Sequence, residues 1–170
     1  LESLEEVKDI VQTIENSGYR DTIIIQDYIP GDDTTMWDAV LYLNQDSQAQ
    51  FVALGQVALQ EHAATAIGNY TSILSRYDRE LMENLKNFLE SLDYVGFANF
   101  DMKYDPRDGK LKVFEVNVRQ GRSSYYVTQM GHNLAKYLVD DIIYHKEKEC
   151  VYIDKENLFT IVPRYILRDY

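Results

Sequence analysis

The sequence has one cysteine and no long apolar run, and each shortage excludes a class of protein. Cys150 alone cannot form an internal disulfide, which fits a reducing compartment, so we expect a cytoplasmic protein. No stretch approaches the roughly 18 consecutive apolar residues of a transmembrane helix, and the N-terminus lacks the basic-then-apolar order of a signal peptide. We therefore expect no membrane partner.

Positive charge is also scarce, which limits the partners that the protein can bind. The 17 Lys and Arg residues against 28 Asp and Glu residues leave a net charge of −11. Nucleic-acid backbones are held by positive surfaces, so we expect no nucleic-acid partner. A polyanionic ligand would have to be held locally, with a metal ion to balance its charge.

The length of the chain indicates one domain. A chain of 170 residues is long enough for a hydrophobic core, since proteins of this size bury roughly 70% of their unfolded surface. The sequence begins at Leu1, in a segment that already has the pattern of a helix. We therefore expect a piece of a longer chain.

Apolar spacing predicts the N-terminal elements. Apolar residues at steps of three and four predict an amphipathic helix over 2–16, with Gly18 as its C-cap. The β-branched run TIIIQDYI predicts a buried strand over 22–29, which Pro30 and Gly31 end. The polar segment GDDTT then predicts a loop.

The central segment predicts a hairpin, a loop and a helix. Two strand-like runs, 36–44 and 50–59, flank the turn QDSQ and predict an antiparallel hairpin. The segment 60–77 has no clear period, so we interpret most of it as loop. A stripe of apolar residues predicts a helix over 78–92, with Asp78 as its N-cap.

A second hairpin and a further helix complete the predicted fold. FANFDMKY at 97–104 and KLKVFEVN at 110–117 are separated by DPRDG, in which Pro and Gly favour a turn. Apolar residues predict a helix over 134–144, and the tail that follows is partly extended. Hairpins with segregated helices predict an α+β fold, an antiparallel sheet covered by helices.

The polar end of the second hairpin is a candidate metal site. Glu115 and Asn117 are two residues apart on a strand and project from one face, and the short turn sets Asp101 opposite or diagonal to Glu115. Two carboxylates this close repel each other unless they share a proton or bind a cation, and these oxygen ligands suit Mg²⁺. The alternative is a solvent-facing strand end with salt bridges to Lys103 and Arg119.

The loop RQGRSS at 119–124 follows this strand and favours the metal site. Arg119 and Arg122 offer planar forks for phosphate oxygens, and exposed backbone N–H groups near Gly121 can hold an anion. Acids for a metal and arginines for a phosphoryl group form one functional set.

These motifs resemble the ATP-grasp ligases. The stretch EVNVRQGRSS is similar to the ATP-grasp domains of the carbamoyl-phosphate synthetase large subunit and of related carboxylate-amine ligases, including D-aspartate ligases. The resemblance implies a magnesium site at Asp101, Glu115 and Asn117. It also implies that Arg119 holds the acyl phosphate and its transition state, and that Arg122 assists or binds substrate.

The stretch IIIQDYIPGDD at 23–33 resembles the ATP-grasp hinge, which joins two lobes and touches adenine. This resemblance implies a nucleotide site made by Gln26 and the backbone of Asp27 and Ile29 at the adenine edge, Tyr28 beside it, and Asp33 at the ribose hydroxyls. Taken alone, the segment could also be an ordinary buried strand that leads to a turn.

The resemblance implies an ATP-dependent ligase. ATP would phosphorylate a carboxylate, and an amine would attack the acyl phosphate to give an amide, ADP and phosphate. The expected partners are a small-molecule carboxylate and an amine, and the expected cofactors are ATP and Mg²⁺, which Mn²⁺ could replace, with two ions bridging the phosphates through Glu115. A reaction on bicarbonate and a nucleotide-binding module without catalysis are the alternatives.

The resemblance also implies how the chain is organised. It extends over approximately residues 2–145. Residues 1–33 would be the end of an N-terminal lobe with its hinge, 34–145 the C-terminal lobe, and 146–170 an extension. ATP-grasp enzymes carry further phosphate-binding lysines and a glycine-rich flap before this point, so we expect partners in missing N-terminal domains of the same chain and an inactive isolated fragment. A homodimer is compatible with this organisation.

Overall fold

The structure is a computed structural model that describes residues 3–63, 65–163 and 165–166. Its described helices are α1 Leu4–Asn16, α2 Arg79–Glu90, α3 Tyr125–Gln129 and α4 Leu134–Ile142. Its described strands are β1 Met36–Leu43, β2 Ala49–Gln60, β3 Tyr70–Arg76, β4 Gly96–Asp105, β5 Lys110–Asn117, β6 Val151–Tyr152 and β7 Leu158–Thr160. Short 3-10 turns lie at Asp33–Thr35 and Arg122–Ser124.

The described strands form one sheet in the order β5-β4-β1-β2-β3-β7. Strands that neighbour each other in this order are antiparallel, and β6 adds to β2 in parallel. Helix α2 packs on one face, and α3 and α4 pack on the other. The predicted α+β fold, an antiparallel sheet covered by helices, is confirmed. No described helix is both long enough and apolar enough to cross a bilayer.

The central strands are buried on both faces. Alternate residues of β1, Ala39, Leu41 and Leu43, belong to the core beneath α2. The intervening Val40 and Tyr42 belong to the core beneath α3 and α4. Burial on both sides explains why these strands are nearly continuous apolar runs instead of alternating with polar residues.

Caps stabilise the predicted helices and turns. Ser3 Oγ accepts from the backbone N–H of Glu6 at the start of α1, and Gly18 follows its end with a φ of 86°. Asp78 accepts from the backbone N–H of Leu81 at the start of α2, as predicted. In the first hairpin turn, Asn44 Oδ1 accepts from the backbone N–H groups of residues 46 and 48. These side chains satisfy backbone groups that the ladders and helices leave free.

The predicted strand over 22–29 is wrong. This segment has no regular secondary structure, and Ile24 is 78% exposed. A strand needs a neighbour to satisfy its backbone groups, and no described strand pairs with this segment. Side chains hold it instead. Gln26 Nε2 donates to the Phe114 carbonyl oxygen of β5 at 3.2 Å.

The loop predicted over 60–77 is wrong in its second half, because Tyr70–Arg76 is β3. This strand pairs with β2 on one side and β7 on the other. Thr71, Ser72 and Ile73 are buried in succession, so no alternation of polar and apolar residues is visible in the sequence. Tertiary pairing rather than local pattern creates this strand.

The C-terminal segment is tied to α4 by a buried carboxylate. The Asp140 side chain is 4% exposed and accepts from Lys136, Lys146 and Lys148 at 2.7, 2.8 and 2.8 Å. Hydrogen bonds from these ammonium groups lower the pKa of Asp140 well below its ordinary value. Two lysines from beyond the helix thus anchor the chain that leads to β6.

Leu89→Ala tests the core beneath α2. Leu89 is 2% exposed, so its truncation leaves a cavity, and we expect a loss of about 2–5 kcal/mol in the free energy of unfolding. Leu92→Ala is the matched control, because Leu92 is 60% exposed. Urea denaturation measures both variants. Equal losses would contradict the assigned packing of α2.

Asp140→Asn tests the three-lysine contact. Because the folded pKa of Asp140 is depressed, its contribution to stability is present above the ordinary value of 3.8 and is lost as the pH falls below it. We expect the variant to unfold more readily than the wild type near neutral pH. The difference should shrink in urea titrations as the pH falls below about 4. A difference independent of pH would contradict this assignment.

Candidate functional site

Three carboxylates share one row across the sheet. Asp38 of β1 pairs with Asp101 of β4, and Asp101 pairs with Glu115 of β5. Residues paired directly across antiparallel strands have Cβ atoms about 4.5–5.5 Å apart and side chains on the same face. The next row contains Asn99 and Asn117, which pair with each other. The predicted opposition of Asp101 and Glu115 is confirmed.

A β-bulge in β5 brings Glu115 into this row. Asp101 pairs with Glu115 but Met102 pairs with Val113, so Phe114 is an extra residue in the strand. A regular strand would put Val113 on the same face as Glu115. The bulge breaks this alternation, and Val113 instead pairs with Met102, which belongs to the core beneath α2.

Both oxygens of Asp101 are held by neutral donors. The Tyr70 hydroxyl donates to Oδ1 at 2.7 Å, and Asn117 Nδ2 donates to Oδ2 at 2.9 Å. Burial raises the pKa of Asp101, and the nearby charge of Glu115 raises it further, whereas the Tyr70 hydrogen bond opposes these effects. Burial and the Asp101 charge raise the pKa of Tyr70, which keeps the phenol a proton donor at neutral pH.

The arginines lie on the open side of these acids. Arg119 Nη2 donates to Asn117 Oδ1 at 3.1 Å. In the described residues, Arg122 makes no hydrogen bond or ion pair, so its guanidinium is available to a ligand. A cavity of about 110 Å³ is lined by Gly68, Asn69, Tyr70, Asn99, Asp101, Asn117, Arg119, Gly121, Arg122 and Ser123. It offers acidic and basic groups side by side.

A buried polar group lies behind this cavity. Asp38 is 0% exposed, and its Oδ1 accepts from Asn99 Nδ2 at 2.8 Å. Burial and the charge of Asp101 raise the pKa of Asp38 to about 7. The Tyr126 phenol is close enough to influence that pKa, but its hydroxyl and Asp38 Oδ2 lack hydrogen-bond geometry and have no partner in the described part of the chain.

The first three predicted adenine-contacting residues lie along the β4–β5 hairpin. Gln26 reaches the carbonyl of the residue before Glu115. Asp27 accepts from Arg107 Nη2 at 3.0 Å. The Tyr28 ring centroid is 5.3 Å from Lys103 Nζ. The hinge-like segment therefore approaches the candidate metal site from the open edge of the sheet.

The other two predicted nucleotide residues differ in exposure and contacts. Ile29 is partly buried, and the structure gives its side chain no polar contact. Asp33 Oδ2 accepts from the backbone N–H of Gln60 at 2.9 Å and lies 3.0 Å from His62 Nε2, while Oδ1 accepts from Gln60 Nε2. A ribose hydroxyl would have to share this carboxylate with Gln60 and His62.

The oxygen ligands fit a magnesium ion that also contacts a substrate. No group of three or more Asp, Glu, His or Cys side chains in the described ranges could enclose a metal. Mg²⁺ commonly takes one or two carboxylates, with waters and phosphate oxygens filling the remaining positions. Asp101 and Glu115, with the Asn117 amide beside them, match that donor set.

Sequence reasoning missed three side chains of this site. Tyr70 lay in a segment interpreted as loop, and its role depends on the pairing of β3. Asp38 stands within the apolar run MWDAVLYL and Asn99 within FANFD. A polar residue in an otherwise buried strand was the available signal, because such a group must find a partner.

Comparisons with known proteins give one close relative. No protein-family model matches the chain. It is 43% identical over 175 residues to the D-aspartate ligase of Enterococcus faecium (strain Aus0004), an alignment that includes 100% of this chain and 42% of the relative. The chain therefore spans less than half the length of this ligase.

Two solved structures share the fold. One is the biotin carboxylase domain dimer of 2-oxoglutarate carboxylase from Hydrogenobacter thermophilus, in complex with MgADP and bicarbonate. Its TM-score is 0.51 at 10% sequence identity, and the alignment covers 67% of this chain and 25% of the carboxylase chain. The other is the phosphoribosylaminoimidazole carboxylase ATPase subunit from Aquifex aeolicus, with a TM-score of 0.51, 14% identity, and coverage of 65% and 34%. At these identities the likeness concerns the fold alone.

The sequence relationship and the fold agree with the resemblance that the motifs predicted. The relative is a ligase, and the two carboxylase structures share the fold of this chain. The chain is a homologue of D-aspartate ligase, and its fold is consistent with the ATP-grasp superfamily.

Proposed function

We propose that this chain is the metal-binding and phosphate-binding lobe of an ATP-dependent carboxylate-amine ligase. One observation carries the proposal: Asp101, Asn117, Arg119 and Arg122 line a single cavity, and Glu115 pairs directly with Asp101. Acids that can hold a cation and guanidiniums that can hold a phosphoryl group thus lie around one small space. A solvent-facing strand end that only forms salt bridges would not need to bring these acids and arginines around one cavity.

Each side chain has a separate task in the proposed reaction. A bound Mg²⁺ would neutralise phosphate charge and orient the phosphates, held by Asp101, Glu115 and the Asn117 amide oxygen. Arg119 contacts Asn117 at present and would turn its fork toward the phosphoryl oxygens. Arg122, which has no partner in the described residues, would bind a second anionic group, such as a substrate carboxylate.

The proposed chemistry has two steps. A carboxylate oxygen attacks the γ-phosphorus of ATP, and the bond to ADP breaks, which leaves an acyl phosphate. An amine then attacks the acyl carbon, the bond to phosphate breaks, and the amine releases a proton. The chain contributes position and charge rather than a nucleophile, as is usual for phosphoryl transfer.

The substrates are proposed from the relative. D-aspartate carries both a carboxylate and an amine, and it appears in the name of the relative, so it is the first substrate to test. The adenine contacts are proposed for Gln26, Asp27, Tyr28 and Ile29, of which the first three lie along the β4–β5 hairpin, and the ribose contact is proposed for Asp33, which lies beside Gln60 of β2. Domains that precede the chain would complete the nucleotide site.

A phosphate-release assay on the full-length protein tests the activity. ATP is supplied with D-aspartate, other amino acids, ammonia or bicarbonate, alone and in pairs. We expect phosphate release to require two compounds, one that supplies the carboxylate and one that supplies the amine. Release with bicarbonate and ammonia alone would identify the carbamoyl-phosphate type of reaction instead, and binding of ATP without any release would identify a non-catalytic module.

Glu115→Gln tests the metal site in the same full-length protein. Loss of one carboxylate charge should lower kcat by at least about 100-fold, by analogy with the loss of other charge-stabilising groups. The fold should remain intact because Glu115 is exposed. Glu80→Gln on α2 is the matched control, since it changes the same charge on the opposite face. Retained activity in Glu115→Gln would remove Glu115 from the metal role.

Arg119→Lys tests the phosphoryl contact. Lysine keeps the charge but loses the planar fork, so we expect kcat to fall by roughly 10²–10³-fold. The KM for ATP should change much less, because the contact is proposed to strengthen in the transition state. Arg79→Lys, at the start of α2, is the matched control. A rise in KM with unchanged kcat would instead assign Arg119 to ground-state binding.

A further inference from the structure

A fully buried carboxylate lies beneath the arginine loop, which we define as residues 119–124. Asp38 is 0% exposed and stands in the middle of the sheet, where the next five residues of its strand are all buried and apolar. Burial of a carboxylate costs free energy unless the group is fully hydrogen-bonded. No step of the proposed reaction uses Asp38, so its presence needs a separate explanation.

Asp38 determines which way the Asn99 amide points. Asn99 turns its NH₂ group toward Asp38 and donates to Oδ1 at 2.8 Å, which uses this carboxyl oxygen as an acceptor. The amide oxygen of Asn99 is then forced to the opposite side. Without Asp38, the two ends of the amide could exchange places.

The arginine loop packs directly against the Asn99 amide oxygen. A Cβ added to Gly121 would lie 2.1 Å from Asn99 Oδ1, so the loop backbone touches this oxygen and only glycine fits. Ser124 Oγ donates to the same oxygen at 3.4 Å. Asn99 and Ser124 are 4% and 0% exposed, so water does not compete for these contacts.

A second link joins Asp38 to the residues after the loop. Tyr126 is 0% exposed, and a Cβ on Gly55 would lie 3.4 Å from its ring carbon Cζ. Gly55 pairs with Asp38 across β1 and β2, so its missing side chain makes room for the phenol beside the carboxylate. Asp38 therefore adjoins both Asn99, beneath Gly121, and Tyr126, beyond Ser124.

We propose that Asp38 is a positioning residue that sets the conformation of the arginine loop through Asn99 and Tyr126. It touches no substrate, and it acts on the direction of Arg119 and Arg122, which flank Gly121. The effect on catalysis rests on the proposed ligase function, whereas the effect on the loop does not.

The competing explanation is that Asp38 only contributes to the stability of the sheet. The two explanations predict different results for Asp38→Leu. Asp38→Leu removes the acceptor of the buried Asn99 NH₂ group, so a loss of global stability is expected under both explanations and does not separate them. A positioning role predicts increased exchange that is concentrated in the arginine loop, whereas a purely structural role predicts no local change at the loop.

Hydrogen exchange of the full-length protein, measured by mass spectrometry on peptides of residues 119–130, tests the proposal. We expect Asp38→Leu to raise exchange there by at least about tenfold, with peptides of α2 unchanged. Asp38→Asn should stay within about twofold of the wild type, because its amide oxygen still accepts from Asn99.

Gln50→Leu is the matched control. Gln50 is also 0% exposed in the same sheet, and its amide atoms have no partner in the described residues, so it has no link to the loop. Its replacement should leave the 119–130 peptides unchanged. Unchanged exchange in Asp38→Leu, or an equal rise in Asp38→Leu and Gln50→Leu, would overturn the proposal.

Kinetics of the same variants separate this inference from the proposed function. Asp38→Leu should lower kcat roughly 10- to 100-fold through misplaced arginines, with the KM for ATP within about threefold. Asp38→Asn should restore most of the rate, and Gln50→Leu should keep it. If the wild-type protein shows no ligase activity, the proposed function fails, and the exchange measurements alone decide the role of Asp38. If activity is present and Asp38→Leu retains it fully, the positioning role fails.

Discussion

The pairing of Asp101 between Asp38 and Glu115 is the constraint around which the site is built. Antiparallel register on both sides of β4 forces three acidic side chains into one row. Like charges at this spacing repel, and water is largely excluded from the inner part of the row. The amides and phenols beside the inner acids, and the guanidinium at the open end, reduce this repulsion. Neutral donors face the inner acids, and the open end faces the arginines.

Elements that depend on local chemistry could be predicted from the sequence. Both hairpins were predicted from short polar turns, and α2 from an apolar stripe with Asp78 at its start. Elements that depend on pairing with distant parts of the chain could not be predicted in this way. β3 is a strand because β2 and β7 lie on either side of it. Conversely, the apolar run at 22–29 has the composition of a strand, but no described strand pairs with it.

The same distinction holds for the site. The sequence shows a motif at the end of β5, in which an acid and an amide are followed by two arginines. The cavity is lined by Asn117, Arg119 and Arg122 of this motif and by Asp101 across the hairpin. Tyr70 and Asp38 come from strands separated from this motif in the chain. Their roles follow from register and burial, which one sequence does not contain. The nucleotide contacts assigned to the hinge-like segment stay predictions.

The extra residue in β5 also affects how this edge of the sheet could pair with another strand. β5 is the outermost described strand on its side of the sheet, and an exposed edge invites pairing with another chain. A bulge bends and twists the strand, which spoils its match to a straight partner. At the bulge, the Phe114 carbonyl also accepts from Gln26. The irregularity that aligns Glu115 with Asp101 thereby also makes the same edge a poorer template for an added strand.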